Sequence, residues 1–248
     1  MANYLMFDNV NLHYSSAAYR PSSLKYAMSN LFQKEKMIGT ADIHALKNVS
    51  FTIKSGEQVG LIGHNGAGKS TLLKTMANLY PISSGRIEHK GEVRALFELS
   101  LGFESEETGR ENIMYRGLLL GYTPMQVREI EEEIIAFADL GEFIDYPIKT
   151  YSAGMLVRLA FAISTSVKGE ILLLDEVIGA GDAVFMAKAR KRIEELINHA
   201  EIMVLASHDF SALRDLCTRL FVMHHGELVY DGNVENGIEE YKKIVGLI

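Results

Sequence analysis

The stretch QVGLIGHNGAGKSTLLKTMANL, residues 58–79, decides the fold. Its first part is a short apolar run of strand length and its last part, STLLKTMANL, is helix-forming. Between them GHNGAGKST at 63–71 fits G-x-x-x-x-G-K-[ST] in the strand, loop, helix context that gives this pattern its meaning. Gly63, Gly66 and Gly68 let backbone N–H groups turn inward around phosphate oxygens, and the following helix presents its positive end to them. Lys69 is placed to reach β- and γ-phosphates, Ser70 to ligate Mg²⁺ and Thr71 to donate to a neighbouring phosphate, while His64, Asn65 and Ala67 complete the cradle.

Working outward, residues 3–14 and 48–62 read as strand patterns. The segment at about 15–44 separates them and is far longer than a hairpin needs; a short helix is expected within it around Leu24–Gln33. From Thr108 to Ser166 the pattern is helical in three pieces, TGRENIMYRGLLLGY, TPMQVREIEEEIIAFADL and SAGMLVRLAFAIST. Beyond lie the strand EILLLDE, a charged helix, the strand IMVLAS, a helix after His208 and a closing strand pair around LFVMHHGELVYDG. Strands alternating with helices predict a mainly parallel sheet in an α/β domain.

ILLLDE at 171–176 is a buried strand ending in two acids. Asp175 is suited to hold Mg²⁺ and Glu176 to polarise a water, although an apolar strand ending in an acid is common and gains meaning only from its neighbours. Those neighbours are YSAGM at 151–155 and His208. Alone, the first reads as an ordinary helix N-cap and the second as a structural histidine.

Composition bounds the rest. With 248 residues, 48% hydrophobic, 23% charged and four prolines, the chain can bury a substantial core as one domain. Its single cysteine, Cys217, cannot build a disulfide framework. The start has neither a basic n-region nor a long apolar stretch, and no window reaches the length a membrane helix requires. A net charge of −7 gives no general attraction to nucleic acid, and no nucleic-acid partner is expected.

In this arrangement the chain resembles the ABC ATPase family over essentially its whole length. The family's signature loop, usually LSGGQ, is matched by Tyr151, Ser152, Ala153, Gly154 and Met155, and its switch histidine by His208. GAGD at 179–182 stands where the family has its dimer-crossing loop, with Asp182 the matching acid. The resemblance implies a P-loop ABC ATPase domain over 1–248: a mixed, mainly parallel core sheet, an antiparallel β subdomain and an inserted helical subdomain at about 105–166. ATP and Mg²⁺ are the implied ligands. Two subunits pair head to tail, so that each ATP is held between one phosphate loop and the partner's signature loop. Glu98 stands at, or within a residue of, the family's nucleotide-sensing glutamine, and Tyr14 fits the adenine-stacking aromatic. The implied catalytic set is Glu176, His208 and Lys69, with Ser70, Asp175 and Glu98 at the metal.

Three segments narrow the resemblance. TGREN at 108–112, YSAGMLVRLAFA at 151–162 and DEVIGAGDAVFMAK at 175–188 look like the ATPases of polysaccharide exporters. The implied role is to power export of a lipid-linked polysaccharide, O-antigen in preference to capsule, from the cytoplasmic face of the bacterial inner membrane. A homodimer of this subunit would act with an integral membrane permease dimer. The 15–44 segment would face the membrane near the lipid-linked glycan, with Tyr19, Tyr26 and Phe32 as its contact side chains. No carbohydrate-binding domain is expected after the closing strand pair. An ATPase of another exporter (drug, ion or teichoic acid) is the alternative.

Overall fold

The computed structural model describes residues 2–14, 43–97, 102–167, 169–175 and 183–247. Strand β1 (Tyr4–Tyr14) pairs antiparallel with β2 (Ile43–Lys54) on one side and β4 (Ser84–Lys90) on the other. A second sheet runs β5-β6-β7-β3-β8-β9, built from β5 (Val93–Leu96), β6 (Ile171–Asp175), β7 (Ile202–Ala206), β3 (Gln58–Ile62), β8 (Arg219–His224) and β9 (Glu227–Gly232). All its pairings are parallel except β8 with β9. The helices are α1 (Lys69–Met76), α2 (Gly109–Leu119), α3 (Pro124–Ala138), α4 (Ala153–Thr165), α5 (Ala183–His199), α6 (Phe210–Leu216) and α7 (Val234–Ile244).

The middle of the second sheet is covered on both faces, which explains why β6 and β7 are solid apolar runs. Successive side chains of a strand point to opposite faces. Leu173 accordingly joins Phe7, Phe51, Leu73 and Phe221 between the two sheets, whereas Leu172 and Leu174 join Leu196, Leu213 and Ile238 beneath α5, α6 and α7. The first face is stitched by aromatic rings, Phe7 on Phe51 at 4.7 Å and Phe51 on Phe221 at 4.9 Å. A third cluster, including Ile113, Val127, Ile134, Leu159 and Ile163, holds α2, α3 and α4 together. Thr108 and Thr123 each cap their helix with a reciprocal capping box, to Glu111 and Gln126.

The mixed, mainly parallel sheet and the antiparallel sheet agree with the α/β fold expected from the sequence. Two boundaries differ. The 48–62 pattern is two strands, broken at Ser55-Gly56-Glu57 where Gly56 adopts φ +90°. Strand β2 also starts at Ile43, within the segment read as a long connection. Residues 15–42, with Tyr19, Tyr26, Phe32 and the helix expected at Leu24–Gln33, lie outside the described residues, as do Glu98, Glu176 and Asp182. Among the described residues, no helix is long and apolar enough to cross a membrane.

Candidate functional site

Register places the motifs at one edge. Leu61 of β3 pairs with Ala206 of β7, Ala206 with Asp175 of β6, and Leu174 with Leu96 of β5. Adjacent strands lie about 4.8 Å apart, so Asp175 stands about 10 Å along the sheet from the strand that launches the phosphate loop. Ser207 N donates to Leu61 O at 3.2 Å, and exposed His208 follows it, leaving from the strand between the two. The carboxyl ends of parallel strands are where α/β sheets bind ligands.

The phosphate loop is shaped by contacts that exclude side chains. A Cβ at Gly63 would stand 2.5 Å from Met223 O. Gly68, at φ +106°, would bring one to 3.1 Å from Ala45 O. Gly66, at φ +82°, has open space where its Cβ would be, so the cavity reaches the backbone there. Gly68 is also the N-cap of α1 and offers no side-chain oxygen to the first-turn amides. Lys69 Nζ donates to Gly63 O at 2.5 Å and to His64 O at 3.3 Å, which curls the ammonium over the loop. The turn after β8 braces the loop from outside: Gly226 N donates to Ala67 O at 2.9 Å and Lys47 N to Gly226 O at 2.8 Å.

A cavity of about 560 Å³ opens over this loop, lined by Asn65, Gly66 and Gly68 to Thr71, with Tyr14, His44, Lys47 and His225 around them. That volume suits a small-molecule ligand, and two lysines on its wall suit a polyanion. Ser70 is exposed at the mouth and, with Asp175, offers the hydroxyl and carboxylate oxygens that a hard cation such as Mg²⁺ takes. Tyr14 is half-exposed on the rim, its hydroxyl 3.2 Å from Thr71 Oγ1 and its ring edge-on to Tyr80 at 5.9 Å. His44 stacks on His13 at 4.0 Å and meets Asn11 Oδ1 through Nε2 at 2.9 Å. Burial, then the neighbouring His13, hold its pKa below the ordinary value. Burial, then His225 and His64, do the same to His224.

Ser152–Met155 are elsewhere, and none of them lines the cavity. Tyr151 is anchored in the helical cluster, its hydroxyl donating to Phe143 O at 2.6 Å, and burial raises its pKa. From that anchor Ser152 caps α4, its hydroxyl accepting from Met155 N at 3.3 Å. Ser152, Ala153 and Gly154 are exposed, and a Cβ on Gly154 would meet only Ser152 Oγ at 3.9 Å. The structure thus brings the phosphate loop, Asp175 and His208 to one edge of the second sheet, sets Tyr14 of the antiparallel sheet against Thr71 of the loop, and leaves the signature stretch apart. Sequence reasoning missed His44, Lys47 and His225 on the cavity wall. Only the glycine of the MHHGEL turn hinted at the last.

Residues 46–179, more than half of the chain, match the ABC transporter family. The chain is 44% identical to the O-antigen export system ATP-binding protein RfbE of Yersinia enterocolitica over 93% of its own length and 98% of that protein's. It is 38% identical to the teichoic acids export ATP-binding protein TagH of Lactococcus lactis over 82% of its length, and spans 44% of that longer protein. Its fold is that of a solved dimeric ATP-binding cassette in a post-hydrolysis state bound to ADP and Pi, with a TM-score of 0.67 at 22% identity over 93% of this chain and 98% of that one. By its matched domain and its likeness to an export ATPase along nearly the whole length of both chains, this protein belongs to the ABC transporter family as an ATP-binding, ATP-hydrolysing cassette.

Proposed function

We propose that this cassette powers export of a lipid-linked polysaccharide, O-antigen in preference to capsule, by hydrolysing ATP at the carboxyl edge of its sheet. The observation that supports the chemistry is the register that aligns the phosphate loop, Asp175 and the His208 turn on one edge. The substrate class rests on the segments TGREN, YSAGMLVRLAFA and DEVIGAGDAVFMAK together with the 44% identity to an O-antigen export ATPase.

In this reading Tyr14 stacks on the adenine, the loop amides from Gly63 to Thr71 hold the phosphates, and Lys69 leaves the carbonyls of Gly63 and His64 to neutralise them. Mg²⁺ would be held by Ser70, Asp175 and Glu98, and would neutralise charge that develops on the phosphate oxygens. Glu176 takes a proton from the attacking water while His208 donates to the γ-phosphate. Ser152, Ala153, Gly154 and Met155 act on the nucleotide of a second subunit, and Asp182 lies at the same junction. A homodimer bound to a permease dimer at the cytoplasmic face of the inner membrane completes the machine. The segment 15–44 meets the membrane subunit or the glycan through Tyr19, Tyr26 and Phe32.

Deleting the gene in its host should abolish surface polysaccharide, with wild type restoring it and Glu176→Gln failing to. Unchanged polysaccharide with altered drug or ion tolerance would favour a different exporter.

A further inference from the structure

His64, His224 and His225 converge where the phosphate loop meets the β8–β9 turn. Their ring centroids lie 5.1 Å (64 to 224), 4.8 Å (64 to 225) and 4.2 Å (224 to 225) apart. One nitrogen from each ring can be chosen so that all three lie within 4.8 Å of one another. Adjacent strand residues normally point to opposite faces. His225 instead adopts φ +47°, which ends the strand and turns its ring onto the side of His224.

The donor nitrogen of His64 follows from its partner. Its Nδ1 lies 2.8 Å from Asn65 O, and a carbonyl can only accept, so Nδ1 is the donor and any lone pair the ring offers is on Nε2. That Nε2 is buried with no hydrogen-bond partner, and so is His224 Nδ1. Edge-to-face packing accounts for rings in contact; it does not account for a lone pair turned inward with no donor to meet it. A ring N–H given to a backbone carbonyl while the other nitrogen faces inward is how metal-bound histidines are oriented.

We propose that His64, His224 and His225 form a three-imidazole site for one late-transition-metal ion of the zinc class, joining the phosphate loop to the β8–β9 turn. Imidazole nitrogens select Zn²⁺ and its neighbours over Mg²⁺, so this site is chemically separate from the oxygen donors Ser70 and Asp175. Tetrahedral coordination with Zn–N of about 2.0–2.1 Å needs nitrogens about 3.4 Å apart, so nitrogens that lie within 4.8 Å of one another need close by at most about 1.4 Å, and one of the three rings, His225, is exposed on a turn. Three protein ligands leave a fourth position for water or another donor.

The test uses untagged, nucleotide-free, metal-stripped protein. Equilibrium dialysis should find one Zn²⁺ per chain, and Co²⁺ should give the visible absorption of a four-coordinate site. His225→Asn, which keeps a residue tolerant of the left-handed backbone, and His224→Gln should each weaken Zn²⁺ at least tenfold and flatten the Co²⁺ bands. His89→Gln and His199→Gln should leave both readouts unchanged. Far-UV circular dichroism confirms that the variants fold. Absence of stoichiometric Zn²⁺ binding by the wild-type chain, or binding that survives His225→Asn combined with His224→Gln, overturns the site.

Discussion

Two helix N-termini in this chain are proposed to meet phosphate, and they are built in opposite ways. Helix α1 starts at Gly68 with no side-chain cap, inside a concave wall that carries Lys69 and opens onto a cavity. Helix α4 starts at Ser152 with its own hydroxyl already accepting from Met155 N, on an exposed surface away from that cavity. An uncapped helix start in a pocket can enclose an anion by itself. A capped start on an exposed surface can only complete a site whose other wall arrives with the ligand. One chain therefore carries two unlike helix starts, and they act as halves of one site only if a second chain brings them together.

The largest effect falls on the chemistry of the first half. Glu176→Gln should lower ATP turnover by about 10²- to 10⁴-fold, the usual range for a lost general base, while ATP still binds and a closed dimer accumulates in size-exclusion chromatography. Full turnover would remove Glu176 from its role. Next is Lys69→Ala, which deletes the charge-assisted contact to the phosphates; at about 1.5–3 kcal/mol, ATP affinity should fall by about 10- to 150-fold in calorimetry. Retained affinity would show that the loop amides alone hold the nucleotide.

A mixing experiment tests the division itself. If each site joins one subunit's edge to its partner's α4, a heterodimer of Glu176→Gln with Ser152→Ala keeps one intact composite site. Mixed samples should then exceed the mean activity of the two parents. Sites complete within one chain would give only that mean.

How much of this was legible in the sequence depends on where each constraint originates. Strand β6 could be read because both of its faces are buried and its residues are apolar without interruption. The phosphate loop could be read because its glycines answer local needs, such as the 2.5 Å approach of Met223 O at Gly63. The β2–β3 break was hidden because three turn residues interrupt a pattern that is strand-like on both sides. Helix α7 carried an unread local signal, Asn233 accepting from Glu235 N and Asn236 N. His44, Lys47 and His225 reach the cavity only because β2 and the β8–β9 turn pack against the loop, and apart from the glycine after His225 no local pattern announces that. For Ser152 the proposed counterpart is a second subunit, which the sequence of one chain cannot display.

The smallest effect is the sharpest on the comparison, since one glycine from each half should respond with opposite sign. Gly66→Ala forces a side chain into φ +82°, a left-handed conformation that costs about 1–2 kcal/mol, although nothing stands within 4 Å of the new methyl. Gly154 sits in the first turn of α4, and its methyl would meet only Ser152 Oγ at 3.9 Å. There the change to alanine removes glycine's unfavourable helix propensity, up to about 1 kcal/mol, so Gly154→Ala should raise the Tm of the nucleotide-free monomer by about 2–4 °C per kcal/mol. ATP hydrolysis should nevertheless fall, because the methyl occupies the space into which the partner's phosphate must come. Calorimetric scans of both variants, run beside turnover assays, read the two signs together. A lower Tm for Gly154→Ala would mean that the start of α4 is already packed within its own chain. A higher Tm with unchanged hydrolysis would mean that no second subunit approaches Gly154, and the two-halves reading would fail there.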